Sequence, residues 1–506
     1  MSTRRVLISV VVVVVVSVPL STQDVPASCG VRDWFQLRDK VTQGGSSLLC
    51  KGAMDAAFEH RREAERELNQ VVREAPGSDD AFAADALLIA LYSRHGQYRK
   101  ALSQQLLVVT QSIPESCGVR DWFQLRDKVA QGGSSLLCKG AMDAAFERRR
   151  QAERELNQVV REARRSDDAY LAHWLLAMLY SRHGQYRKAL SQLDQGRLER
   201  PEPEDPEQRR GLHDLEDMLS MFAALAQFPD LRIAHRARSV VQGEINGYGL
   251  VCIPATIHGV SATYILDTGA TDSVLSESEA KRLGLAVRET SAKLSDVSGT
   301  PTSEKGLAEA PDLWIGRIHL KNVAFRVYPD GNEVLSGLPS GQKGVLGLPV
   351  LLALASFRVG KDKRIVVGSR ESTPGDQSIP LAFDYQSTLV QIVVHERPLT
   401  LQLDTGAHKT YLYQTFADAF PSLMQLGQHR KEKITEMSGT SYEEAIEVPT
   451  VGYRLTPRVE MDLAPATVIL KADTDEYRWD GNFGFDLLDK ALPVTVDFRA
   501  MRLSFR

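Results

Sequence analysis

What this sequence lacks narrows its chemistry before any motif is read. Lys and Arg number 61 against 65 Asp and Glu over 506 residues, a formal net charge of −4, so the basic excess that draws a protein to nucleic acid is missing. The strongest local charge run, 61–67, alternates in sign, and no run of like charges reads as a nucleic-acid arm or an acidic tail. These features argue against a nucleic-acid partner. The 11 His residues are scattered, with no His-Glu-x-x-His helix, no Gly-x-Ser-x-Gly elbow and no glycine loop built to cradle phosphate. Neither a metal nor an organic cofactor is therefore expected.

A long hydrophobic span is also missing. Residues 6–20 are apolar but for Ser9, Ser17 and Pro19, which falls short of the about 20 residues a helix needs to cross a bilayer. Arg4 and Arg5 before this run and polar residues after it give the layout of a signal peptide at 1–22. The expected location is secreted or periplasmic, with an uncleaved N-terminal membrane anchor as the other reading.

Cysteine is scarce, at five. Cys29 and Cys50 are 21 residues apart, as are Cys117 and Cys138, and an exported chain permits disulfides. One bridge per pair and four buried thiols both fit this spacing. Cys252 lies in an apolar strand-like run without Cys or His at ligand spacing, which makes it a core residue.

What is present is ordinary in bulk and repetitive in detail. Apolar residues at 43% and charged residues at 25% are globular values, and the length suggests about three domains. Residues 28–75 recur at 116–163 with a period of 88, and only Thr42/Ala130, His60/Arg148 and Glu63/Gln151 differ. Ala53, Ala56, Ala57, Ala64, Leu68 and Val71 recur at helical spacing, so both copies read as amphipathic helices. In the second copy Leu176, Tyr180, Gly184, Tyr186, Ala189, Leu193 and Pro201 fall at the spacing of a tetratricopeptide repeat, and Leu88, Tyr92, Gly96, Tyr98 and Ala101 match most of it. This stretch resembles that family over roughly 34 residues per copy. The resemblance implies that these positions are core and that the helices could hold a protein partner.

Residues 197–210 turn to Pro, Glu, Arg and Gln, which cannot bury apolar area and read as a linker, with a short helix at 215–226. Beyond about residue 231 short β-branched runs punctuated by Gly, Pro and Asn make the remainder mainly β.

That half contains a second repeat. Asp267-Thr268-Gly269-Ala270 precedes Asp404-Thr405-Gly406-Ala407 by 137 residues. Each follows a turn and a strand, at 263–266 and 399–403, and each precedes a predicted helix, at 277–283 and 414–420. Gly299 and Gly439 follow their aspartates by 32 and 35 residues, and Gly347 and Gly484 each follow by 80. A single Asp-Thr-Gly is expected in roughly a tenth of chains this long. Two with aligned landmarks indicate two lobes of one design.

The pairing has a chemical reason. Peptide hydrolysis by this route needs one carboxylate to take a proton from water and a neighbouring carboxylic acid to protonate the carbonyl oxygen. Two carboxyls about 3 Å apart cannot both ionise cheaply, so they share a proton. Gly269 and Gly406 permit the tight turns, and the hydroxyls of Thr268 and Thr405 can bond across to the opposite loop.

Residues 240–506 resemble retropepsin-like aspartic peptidases in two tandem lobes, on the Asp-Thr-Gly-Ala motifs and on the apolar-apolar-Gly runs at 344–352 and 481–488, where Asn482 replaces an apolar residue. The resemblance implies that Asp267 and Asp404 are the catalytic pair, formed within a monomer, that hairpins near Gly299 and Gly439 serve as flaps, and that Asp272 and Lys409 lie beside the substrate. His408 and Lys409 stand where the first lobe has Thr271 and Asp272, so an asymmetric cleft is expected. A basic pair there could lower the proton affinity of Asp404; two solvated side chains are the plainer reading.

The expected fold is multidomain α + β, with an N-terminal α-helical tetratricopeptide-like region followed by a mainly-β two-lobed acid-protease fold. Its segments are a leader at 1–22, helical copies at 28–115 and 116–200, linker and short helix at 201–230, lobe one at 231–370 and lobe two at 371–506. The expected function is exported aspartic endopeptidase acting on peptides or proteins. The alternative is a non-catalytic peptide-binding module whose working surface is the helical repeats. A third reading makes the helical half a scaffold separable from the peptidase by deleting 28–230.

Overall fold

A computed structural model of the chain describes residues 29, 40–41, 47–57, 61–74, 84, 87–88, 113–119, 121–199, 219–290, 304–369, 377–437, 439–470 and 479–505. The leader at 1–22, the linker at 201–218, Gly299, Pro201 and the repeat positions Tyr92, Gly96, Tyr98 and Ala101 lie outside these residues. The chain divides into two compact units, Met1–Asp127 and Lys128–Arg506.

In the first unit α1 (Leu48–Ala57) and α2 (Arg61–Glu74) bury Leu49, Ala53, Ala64 and Leu68 with Leu88. Cys29 and Cys50 form a disulfide with Cα atoms 5.6 Å apart. α3 (Trp122–Gln131) crosses the division between units.

The second unit joins the later helices and the β half. α4 (Leu136–Ala145), α5 (Arg149–Glu162), α6 (Asp167–Arg182) and α7 (Tyr186–Glu199) follow in order. Ser135 and Ser166 accept from the N–H groups of Cys138 and Ala169, satisfying first-turn donors of α4 and α6. Gly184, at φ +63°, turns α6 into α7. Leu176, Tyr180, Tyr186, Ala189 and Leu193 are buried, in keeping with their reading as core.

The first lobe is built from β1 (Val251–Ile257), β2 (Val260–Leu266), β3 (Ser273–Ser276), β4 (Gly306–Ile315), β5 (Ile318–Tyr328) and β6 (Gly344–Leu346), with α8 (Glu277–Arg282) after β3 and α9 (Leu348–Leu354) after β6. β6 runs parallel to β2 and antiparallel to β3, and β3 runs parallel to β5. The second lobe begins with β7 (Ser378–Asp384) and repeats the plan through β8 (Ser387–Val394), β9 (Arg397–Leu403), β10 (Tyr411–Leu412), β11 (Gln428–Glu436), β12 (Gly439–Val448), β13 (Ala466–Leu470) and β14 (Gly481–Phe483), with α10 (Gln414–Ala419) and α11 (Phe485–Lys490). β14 runs parallel to β9 and antiparallel to β10, and β10 runs parallel to β13. His258 and Gly259 in one lobe, and His395 and Glu396 in the other, all have positive φ. Two such residues form the tight turn whose twist matches an antiparallel hairpin.

The expected boundary at residue 370 is crossed by a shared sheet. First-lobe strands Ser356–Val359, Arg364–Val367 and Ser239–Gln242 pair in series with the C-terminal strands Val494–Asp497 and Arg502–Phe505, which lead into β7. One continuous apolar cluster, from Val251 through Leu401 to Phe505, underlies both lobes. Cys252 is buried within the first lobe and unbridged, and burial pushes its thiol up to about 12, which suits a core residue.

Candidate active site

The two Asp-Thr-Gly loops meet at the ends of β2 and β9. Asp267 N–H donates to the Leu346 carbonyl at 3.2 Å, and Asp404 N–H to the Phe483 carbonyl at 3.0 Å, so each loop hangs from the parallel strand beside it. The threonines then cross. Thr268 Oγ1 donates to the Leu403 carbonyl at 2.7 Å and accepts from Thr405 N–H at 3.1 Å. Thr405 Oγ1 donates to the Leu266 carbonyl at 2.6 Å and accepts from Thr268 N–H at 3.0 Å. Both side chains are buried, so these four bonds replace water that neither residue can reach.

Each aspartate also receives two amide bonds from its own loop. Asp267 Oδ1 accepts from Gly269 at 2.8 Å and Ala270 at 3.1 Å; Asp404 Oδ1 accepts from Gly406 at 2.9 Å and Ala407 at 3.0 Å. A Cβ on Gly269 would come within 2.6 Å of the Asp404 carboxyl, and one on Gly406 would collide with the Asp267 carboxyl. The glycines are thus required by close approach between loops. Behind them Gly347 and Gly484 lie against the backbones of Asp272 and Lys409, with Leu348 N–H donating to Ala270 O at 2.9 Å and Phe485 N–H to Ala407 O at 2.7 Å.

The two buried carboxyls interact, and both have raised proton affinities. Burial lifts Asp267 above its ordinary value, against the opposing pull of the Gly269 and Ala270 amides. Burial and the facing charge of Asp267 push Asp404 well above the usual carboxylate range. The lowering expected from His408 and Lys409 is not found. Lys409 Nζ is committed to Glu432 on β11 at 2.6 Å and lies 5.1 Å from the Tyr411 ring centroid, while His408 is exposed.

Asp272 is only 5% exposed, and its Oδ1 accepts from the hydroxyl of Tyr186, at the start of α7, at 2.9 Å. Tyr186 was legible only as a core position of the helical copy. Gly439 stands at the tip of the β11–β12 hairpin with φ +138°, where Glu436 pairs with Gly439 in register. Beside that tip Asn332 Nδ2 donates to Met437 O at 2.8 Å, and the Thr440 hydroxyl donates to Glu333. The hairpin tip of lobe two therefore rests on the loop at 332–333 of lobe one.

Comparison with known proteins fits this arrangement. Residues 253–350 match the family described as aspartyl protease. Comparison with curated proteins yields no match. Among solved structures the chain is similar to a retropepsin-like aspartic protease from Rickettsia conorii, at 20% identity over 27% of this chain and 92% of that one, with a TM-score of 0.19.

Proposed function

We propose that this chain, similar over residues 253–350 to aspartyl proteases, is an exported aspartic-type endopeptidase in which Asp267 and Asp404 activate a water molecule. The observation that carries the reading is the reciprocal crossing of Thr268 and Thr405, which holds two buried carboxyls side by side.

Asp404, pushed up by burial and by the facing charge of Asp267, carries the shared proton, and Asp267, favoured as an anion by the Gly269 and Ala270 amides of its own loop and by the Gly406 amide across the pair, is the base. Asp267 takes a proton from water as the water oxygen bonds to the peptide carbonyl carbon, and Asp404 gives its proton to the carbonyl oxygen. Collapse of the resulting diol breaks the C–N bond, and the proton held by Asp267 passes to the leaving nitrogen. A diol hydroxyl returns its proton to Asp404, which restores the pair to one shared proton. The hairpin around Gly439 closes over the substrate. Peptides or unfolded proteins are the substrates, and the helical repeats add a protein-binding surface.

The test is incubation of the purified chain with unfolded casein across about pH 3 to about pH 7, the span in which paired carboxyls exchange one proton, with and without pepstatin. Pepstatin-sensitive cleavage supports the reading. No cleavage at any pH, or cleavage equal in Asp267→Asn, contradicts it.

A further inference from the structure

The helix pair α6–α7 reaches the Asp267 loop from two sides. Its C-terminal end on α6 holds the turn between β7 and β8: Arg182 donates to the Tyr385 carbonyl, Gln386 Nε2 donates to Ser181 Oγ at 2.9 Å, and the Trp174 and Tyr385 rings meet edge to face at 5.7 Å. Two residues past this turn Thr388 Oγ1 donates to the Thr268 carbonyl at 3.4 Å. On the other side the first residue of α7, Tyr186, donates to Asp272, five positions beyond Asp267.

We propose that Tyr186 is a positioning residue for the Asp267 loop, by which the helical segment fixes the geometry of the aspartate pair. This rests on the peptidase reading above. Asp272 is an almost fully buried carboxylate whose facing groups are Tyr186 and, on β5, Arg326, itself bonded to Glu304. Removing the phenol hydroxyl leaves a buried oxygen without its donor, a penalty that the loop relieves by shifting. The same six-residue loop supplies Ala270 and Gly269 N–H to Asp267 Oδ1. Those bonds stabilise the ionised base, so slack in the loop raises the proton affinity of Asp267, which also faces Asp404 and the Gly406 amide across the pair.

The experiment compares full-length wild type with Tyr186→Phe, Asp272→Asn and the double variant. Phe keeps the ring that packs on Phe222, centroid to centroid 6.2 Å, so the fold is retained. Two readouts are taken: kcat and KM against pH with a fluorogenic peptide, and carboxyl titration of the Asp267 and Asp404 side chains by carbon NMR. The expected result for Tyr186→Phe is a kcat roughly tenfold lower, the effect of about 1.4 kcal/mol, at nearly unchanged KM. The acidic limb of the profile and the Asp267 titration both move to higher pH. The double variant is no worse than Asp272→Asn alone, because both changes cut one link.

An unchanged pH profile with unchanged Asp267 titration overturns the proposal, even if thermal stability falls, since that marks a role in packing alone. If wild type cleaves nothing, the peptidase reading fails by itself. The titration then still decides the positioning of Asp267, because it needs no turnover.

Discussion

Thr268 and Thr405 exchange hydroxyl groups across the lobe boundary, each donating to the carbonyl that precedes the other's aspartate and each accepting from the other's amide. The relation is symmetrical in its bonds. The carboxyls it supports are both buried and both raised in proton affinity, and the predictions below follow from that crossing and that burial.

Replacing either threonine by valine keeps the shape and leaves a buried N–H and a buried carbonyl unpaired. Thr268→Val and Thr405→Val are each expected to lower stability by about 1 to 3 kcal/mol and to reduce kcat. Thr→Ser at either position should stay near wild type in denaturant unfolding.

Gly406→Ala places a methyl group where the Asp267 carboxyl stands. Activity is expected to fall by on the order of 100-fold, as misplacement of a reacting group by about 1 Å does. Circular dichroism should show an unchanged fold.

The stability of Asp404→Asn should depend on pH with a definite sign. Asp404 has a raised proton affinity in the fold, so its protonated form favours folding. That contribution is present below the ordinary carboxylate value of about 3.9 and is lost as pH rises through the folded-state value. Asn carries no charge to bury beside Asp267. The variant should therefore melt at a higher temperature than wild type near neutral pH, with the gap closing towards about pH 4. Wild type melting higher at neutral pH would contradict the assignment.

Arg182 is buried, with Nη2 bonded to Glu147 at 3.0 Å and to the Ala144 carbonyl at 2.8 Å, and its guanidinium 4.5 Å from the Phe383 ring centroid. Arg182→Met strands the Glu147 carboxylate with only His183, and a loss of about 3 to 5 kcal/mol is expected. Deletion of 28–230 removes the contacts of Ser181, Arg182 and Tyr186 with the β half and should give an insoluble or inactive product, because residues 128–199 share a compact unit with both lobes.

The parts of the site that are local in sequence were legible there. The strands before each Asp, the helices at Glu277–Arg282 and Gln414–Ala419, and the glycines 80 residues on follow from period, turn chemistry and repetition. Asn482, which departs from the apolar pattern, is explained by the fold: its side-chain oxygen accepts from Tyr411 N–H at 2.7 Å. What could not be read depends on register between distant segments. Lys409 finds Glu432 only once β11 is placed, Met437 meets Asn332 across the lobes, and Tyr186 meets Asp272 across 86 residues of chain. A tyrosine at a core position of a helix gives no sequence signal of a hydroxyl aimed at an Asp-Thr-Gly loop.

The most direct test of the central claim is the rate of peptide cleavage by Asp267→Asn, Asp404→Asn and the double variant, each confirmed folded. Two residues that act as one unit are non-additive: each single variant should lose at least about a thousandfold in kcat, and the double variant little more. A single variant that retains near wild-type kcat would contradict the paired-aspartate account.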